Sequence, residues 1–308
     1  MMAGILDANI AGYTCYVGME TDLIFNQGVD LPGFASFPLL ETPQGRARLS
    51  SYAQAQVTWS QAAGLGAILE APTWMANPDR AAPLGYAAGQ LDAITRAGVA
   101  LLQAVETANV PCLISVNIGP RADAYAPADQ MDIARAQAYH SPQVRAAQAA
   151  GADLVSGFTL GYGAEAAGIA CAGRDVGIPV VISFTVEVDG RLPSGETLAE
   201  AIEMVDAASD AYPAYFMINC AHPDHFADVL GDPVVARRVA GLVVNASRCS
   251  HAELDEAAHL DDGDPAELGA QIGALARSYP NLRVFGGCCG TDARHMTEMA
   301  RNVAARTR

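Results

Sequence analysis

Short β-rich runs alternate eight times with Ala- and Leu-rich stretches along the 308 residues, and most runs are apolar without clean alternation. Such runs mark parallel strands covered on both faces. Eight strand–helix units, in a chain longer than the ~250 residues of a typical barrel, predict an α/β fold closed into a (β/α)8 barrel. An open doubly wound sheet has fewer strands. No linker, low-complexity segment or charge block divides the chain, so a single domain over residues 1–308 is expected.

The first run, residues 13–19, leads through a long connection (22–42) into a helical stretch at 45–63. The second, 66–70, precedes a connection at 74–88 and a helix at 90–109. The third, 112–118, opens another long connection, 119–139. The fourth and fifth, 153–160 and 179–186, are followed by helices at 164–174 and 198–208. Runs at 214–220, 241–245 and 283–287 complete the strands, with helices at 265–279 and 293–305. The longest connections follow the first three strands, and in barrels the loops at the strands' C-terminal ends build the active-site mouth.

Composition narrows the chemistry. Acidic residues outnumber basic ones 34 to 18, a net charge of −16. That field repels phosphate backbones and anionic lipid, so neither nucleic acid nor a membrane is expected as a partner. All 18 basic residues are arginine. Without lysine there is no Schiff-base aldolase, no pyridoxal-phosphate enzyme and no P-loop. The first positive side chain is Arg46, and no apolar stretch approaches a membrane span. Seven cysteines without scaffold spacing predict a reduced, cytoplasmic protein. Homo-oligomerisation stays open.

The most informative motif is Val284-Phe285-Gly286-Gly287-Cys288-Cys289-Gly290-Thr291-Asp292, at a strand-to-helix turn. Neighbouring side chains on a strand point to opposite faces, but flanking glycines let the backbone twist until both sulfurs face one point. Cys220 ends the sixth run, and even-numbered barrel strands share inward layers, so its sulfur can meet those of Cys288 and Cys289. Three thiolates form a zinc site with one open position, the catalytic pattern. Singly, each would be a small buried hydrophobe, the reading given to Cys15, Cys112, Cys171 and Cys249. A rival set, Cys220 with His222 and His225, is weakened by Pro223, which starts a helix and directs the imidazoles into a loop or surface cap. His251 and Glu253 form the H-x-E of zinc deaminases, but the matching P-C-x-x-C is missing.

Asn219-Cys220 and Gly286 to Thr291, with Asn117-Ile118-Gly119-Pro120, Ile182 to Val186 and Asp189 to Gly195, resemble the zinc-dependent homocysteine S-methyltransferase family over almost the entire chain. The resemblance implies a (β/α)8 barrel, one Zn2+ held by Cys220, Cys288 and Cys289, and methyl transfer from a donor to homocysteine, giving methionine. Gly18, Glu20, Trp74, Thr159, Asn219 and Asn245 are the candidate substrate contacts. Trp74 stands where the family often has tyrosine, and its face suits a methylated cation. A zinc-held thiolate would be the nucleophile, and an onium or folate compound the donor. The chain departs from the family pattern at Tyr16 and Phe158, where carboxylates that hold the acceptor's amino group are expected. Glu20, Glu70 and Glu187 are the possible replacements.

Two other readings compete. Gly161-Tyr162-Gly163-Ala164-Glu165-Ala166 fits a dinucleotide fingerprint, with Glu187 following, though in the fourth unit rather than the first. A non-catalytic zinc–thiolate barrel, storing or sensing metal, is the third.

Overall fold

The computed structural model describes residues 5–107, 109–257 and 259–305. Eight parallel strands close on themselves in chain order, β1 to β8. They are β1 Tyr13–Tyr16, β2 Gly66–Ala71, β3 Cys112–Ile118, β4 Leu154–Leu160, β5 Val180–Phe184, β6 Tyr215–Asn219, β7 Val239–Val244 and β8 Val284–Gly287. Closure comes from β1 pairing with β8, Cys15 opposite Gly286 and Tyr16 opposite Gly287. The predicted barrel is the observed one.

Alternation is present but hidden in the sequence because both faces are dry. Tyr215 and Met217 of β6 point into the barrel beside Tyr13, Ile68 and Phe158. Their neighbours Phe216 and Ile218 point outward onto the helices. No polar residue is needed on either face, so the period of two leaves no trace in hydropathy.

One helix of the outer ring follows each strand: α1 Pro43–Ala63, α2 Leu91–Gln103, α3 Ile133–Ala150, α4 Gly163–Val176, α5 Leu198–Ser209, α6 Pro233–Arg238, α7 Pro265–Ser278 and α8 Ala293–Ala304. Their starts are chemically marked. Thr42 accepts the Gly45 N–H before α1, Asp132 that of Arg135 before α3, and Asp264 those of Ala266 and Glu267 before α7. Proline stands at the first position of α1, α6 and α7, where its missing N–H costs nothing.

Several expected boundaries move. The first strand stops at Tyr16 rather than residue 19, because Met19–Thr21 turn into a helix that carries the chain over the barrel mouth. The second helix ends at Gln103, well before residue 109. The connection expected to reach residue 139 ends at Asp132, which caps α3, and that helix runs on through Pro142. The six-residue α6 is too short to show a helical period. Among the described residues no helix is long and apolar enough to cross a membrane.

Candidate metal and substrate site

The site begins with strained backbone. Cys220, one residue beyond β6, has φ of 56°, in the left-handed region that L-residues avoid. Such strain persists where the surroundings over-determine it, and here they do. The Cys220 N–H donates to Val243 O at 3.0 Å. Its carbonyl accepts from Asn245 Nδ2 at 3.1 Å and lies 2.7 Å from His251 Nε2. Thr159, inside β4 where the pairing register shifts between Gly157 and Leu160, has φ of 59° and is clasped by Asn219. Asn219 Oδ1 accepts from the Thr159 N–H at 2.9 Å and from Ser183 Oγ at 2.7 Å, and its Nδ2 donates to Thr159 Oγ1 at 2.8 Å. One buried amide thus ties β4, β5 and β6 together beside the first cysteine.

Cys288 and Cys289 follow β8. Gly290 (φ 78°) turns the chain immediately after them. On the facing loop, a Cβ at Gly18 would lie 2.4 Å from Cys288 O and 2.8 Å from Thr291 Oγ1, so only glycine lets β1 and β8 loops meet here.

These constraints bring three sulfurs together. Cys220 Sγ lies 3.0 Å from Cys288 Sγ and 3.5 Å from Cys289 Sγ, and all three sulfurs are within 4.8 Å of one another. Tetrahedral zinc with ~2.3 Å bonds requires sulfurs ~3.8 Å apart, so sub-ångström adjustments suffice and the thiols fit the ion. Among the described residues this is the one such group of potential ligands. The thiols also share charge. Hydrogen bonds from Cys288 and Cys289 hold the Cys220 thiol well below its ordinary pKa, while facing that thiolate pushes both partners well above theirs. Tyr125, from the loop after β3, donates to Cys220 Sγ at 3.1 Å and stacks on the His251 ring at 3.9 Å. Neither contact was anticipated from sequence, since nothing periodic links residues so far apart.

Above the thiols opens a cavity of about 840 Å³, within the range of small-molecule sites. Glu20, Trp74, Thr159 and Asn245 line it. Gly18 and Asn219 do not line it; they are the support described above. Glu20 accepts from Ser36 Oγ at 2.6 Å, and burial raises its pKa. Glu70 lines the wall and accepts from Ser156 Oγ at 3.0 Å, with its Oε2 unpartnered. Burial pushes its carboxyl up to about 7. Glu187 faces His251 Nδ1 at 3.1 Å and is absent from the cavity wall. Tyr16, whose hydroxyl donates to Thr291 O, and Phe158 both line the cavity and are buried. Trp74 is pinned by its Nε1 donating to Phe158 O at 3.2 Å, and the Arg80 guanidinium lies 5.1 Å from its ring centroid. That cation stands where a methylated one was expected.

The remaining candidates separate cleanly. His222 caps the turn at Pro223–Phe226 by accepting the Asp224 N–H, and His225 Nε2 lies 2.9 Å from Arg248 O; neither joins the sulfurs. The dinucleotide reading fails on local chemistry. The Gly163 N–H at the start of α4 donates to the Glu196 carboxylate at 3.0 Å, where a pyrophosphate would have to sit. Cys15 and Cys171 are core and Cys112 is half-buried, but Cys249 is exposed, a correction that follows from its place in the loop after β7.

Solved structures of similar shape include the homocysteine methyltransferase MmuM from Escherichia coli. Its oxidized form matches with a TM-score of 0.75 at 21% identity, covering 96% of this chain and 97% of that one. Its metallated form matches at 0.72 with 19% identity, covering 95% and 96%. At these identities the likeness speaks for the fold. The family model for homocysteine S-methyltransferase matches residues 46–303, from α1 through α8 and across all three cysteines. By that match the chain belongs to the homocysteine S-methyltransferase family and is a methyltransferase.

Proposed function

We propose that this methyltransferase moves a methyl group from an onium-type or folate donor to a thiol held on zinc at Cys220, Cys288 and Cys289. Homocysteine, giving methionine, is the acceptor the family points to. The observation that carries the reading is three thiols converging from the ends of β6 and β8 on the floor of one cavity. The metallated form of the E. coli relative supports a metal in this fold. When bound, zinc keeps a substrate thiol deprotonated at neutral pH, where a free thiol with pKa ~8.5 is mostly inactive.

The chain's own residues do the rest. Val243 O, Asn245 and His251 hold Cys220 in its strained backbone, and Asn219 holds Thr159 beside it. The Tyr125 hydroxyl, donating to Cys220 Sγ, draws charge from that sulfur. Phe158 and Trp74 give the cavity beside the sulfurs an apolar wall, fixed by the Trp74 Nε1 bond to Phe158 O. The net charge of −16 favours approach of a cationic donor.

The test is zinc content of protein purified without added metal, together with methyl transfer to several thiols. One zinc per chain and turnover are expected; zinc without turnover would favour the storage or sensing reading. Cys288→Ser should lower bound zinc at least tenfold and abolish transfer, with an unchanged circular-dichroism spectrum. Full zinc and full activity in that variant would overturn the assignment.

A further inference from the structure

Among the described residues, one cation on the cavity wall has no ion-pair partner. Arg80 lies in the short helix Pro78–Ala81 after β2, is half-buried, and lines the same wall as Trp74 and Tyr125. Its guanidinium packs over the Trp74 ring, donates to Ala122 O, and reaches Met75 Sδ at 3.0 Å. Its Nε is buried with no partner. Among the described residues no carboxylate oxygen lies within 4.0 Å of it. The two acids whose charge reaches it, Asp123 and Glu165, are already engaged: Asp123 accepts the N–H groups of Tyr125 and Ala126, and Glu165 accepts that of Arg121 and faces His140. Arg121, also on the cavity wall, pairs with Asp129 at 2.6 Å.

A guanidinium withdrawn from water without an anion is costly, and in folded proteins such groups are usually paired. Five donors in one plane, with a carbonyl and a thioether as acceptors, leave room for a fork-to-fork carboxylate. The indole under the guanidinium restricts its plane, so little freedom is lost when an anion docks. The segment that receives Arg80 also carries Tyr125, whose hydroxyl touches Cys220 Sγ. One loop therefore links the cation to the thiol centre.

We propose that Arg80 anchors the carboxylate of a substrate whose reacting group lies at Cys220, Cys288 and Cys289. The proposal rests on the methyl-transfer reading, because both partners of that reaction can carry a carboxylate. The shared chemistry is a small carboxylate bearing either a thiol or a methylated onium centre.

Calorimetric binding to wild type and to Arg80→Met decides it. The acceptor probes are homocysteine, 4-mercaptobutyrate and propanethiol; S-methylmethionine and trimethylsulfonium are titrated separately, without thiol. Arg80→Met should weaken at least one carboxylate-bearing probe by about tenfold to a hundredfold, the range for a charged hydrogen bond. Propanethiol and trimethylsulfonium should stay within about twofold, since neither carries the group at issue. A loss confined to the two thiol acids assigns the carboxylate to the acceptor, and one confined to S-methylmethionine assigns it to the donor. Arg80→Lys, which keeps charge but not the fork, should fall between, and it serves if the methionine variant misfolds. Unchanged affinity for every carboxylate, or an equal loss for propanethiol and trimethylsulfonium, overturns the proposal. If wild type binds no thiol at all, the methyl-transfer reading fails on its own, and Arg80 is judged by S-methylmethionine alone.

Discussion

Replacing Glu70 with glutamine removes a carboxyl that the barrel wall keeps largely dry. Its Oε1 accepts from Ser156 and lies 3.9 Å from Cys15 Sγ, while Oε2 has no partner. Desolvation outweighs these contacts and lifts the carboxyl from 4.5 to about 7. A raised folded-state pKa means the folded protein binds this proton more tightly than the unfolded chain does. The stabilising contribution is therefore full below about 4.5 and is lost as pH rises through about 7. A difference of about 2.5 pH units, at about 1.36 kcal/mol each, is ~3 kcal/mol. Water reaching the carboxylate through the cavity reduces this to roughly 2–3 kcal/mol. Glutamine keeps the shape and cannot ionise. Urea denaturation from pH 4.5 to 8.5 should show the two proteins within about 0.5 kcal/mol at the acid end. At the alkaline end the variant should be more stable by roughly 2–3 kcal/mol. Every other titrating group is common to both proteins and cancels in the difference. Parallel curves, separated by a constant, would show that the Glu70 carboxyl is hydrated and titrates alike in the folded and unfolded chain.

Two further outcomes follow from the site. Asn219→Ala deletes three hydrogen bonds inside the barrel and strands the Thr159 N–H, which should cost about 2–4 kcal/mol in denaturant unfolding; a loss under about 0.5 kcal/mol would mean the clasp is not formed. If a metal-held thiolate is the nucleophile, the methyl-transfer rate at saturating thiol should change less than about twofold between pH 7.5 and 9, through the free-thiol pKa of ~8.5. A tenfold climb per pH unit below that value would instead make the free thiolate the reacting species.

How much of this could be read from the chain alone differs by element. Eight apolar runs were enough for the barrel, because a strand dry on both faces has few alternatives in a chain this long. The cysteine cluster was legible for a related reason. Cys220, Cys288 and Cys289 sit at strand ends, and in a closed barrel the strand number already states which ends adjoin. The surroundings of Gly18 and Asn219 were not legible: both were expected as substrate contacts, and the fold packs Gly18 against Cys288 and Thr291 and bonds Asn219 to Thr159 and Ser183, outside the cavity lining. A motif residue's type survives in sequence, but the direction of its side chain depends on the backbone of its neighbours, here the left-handed φ at Thr159 and Cys220.

Tertiary structure alone decided the cavity wall. Tyr125 meets a sulfur 95 positions away, and Trp74 meets a carbonyl 84 positions away. Both reach across from loops, where no period constrains the spacing. Glu70 faces the cavity from β2 and Glu20 from the helical turn Met19–Thr21, whereas Glu187, beyond β5, meets His251 instead. The isolation of Arg80 was likewise decided by the fold: the sequence counts 34 acids against 18 arginines, and only the folded chain shows this cavity-lining arginine with no carboxylate oxygen of the described residues within 4.0 Å. Composition sums charge over the molecule, whereas pairing is settled within about 4 Å, by how the loops pack.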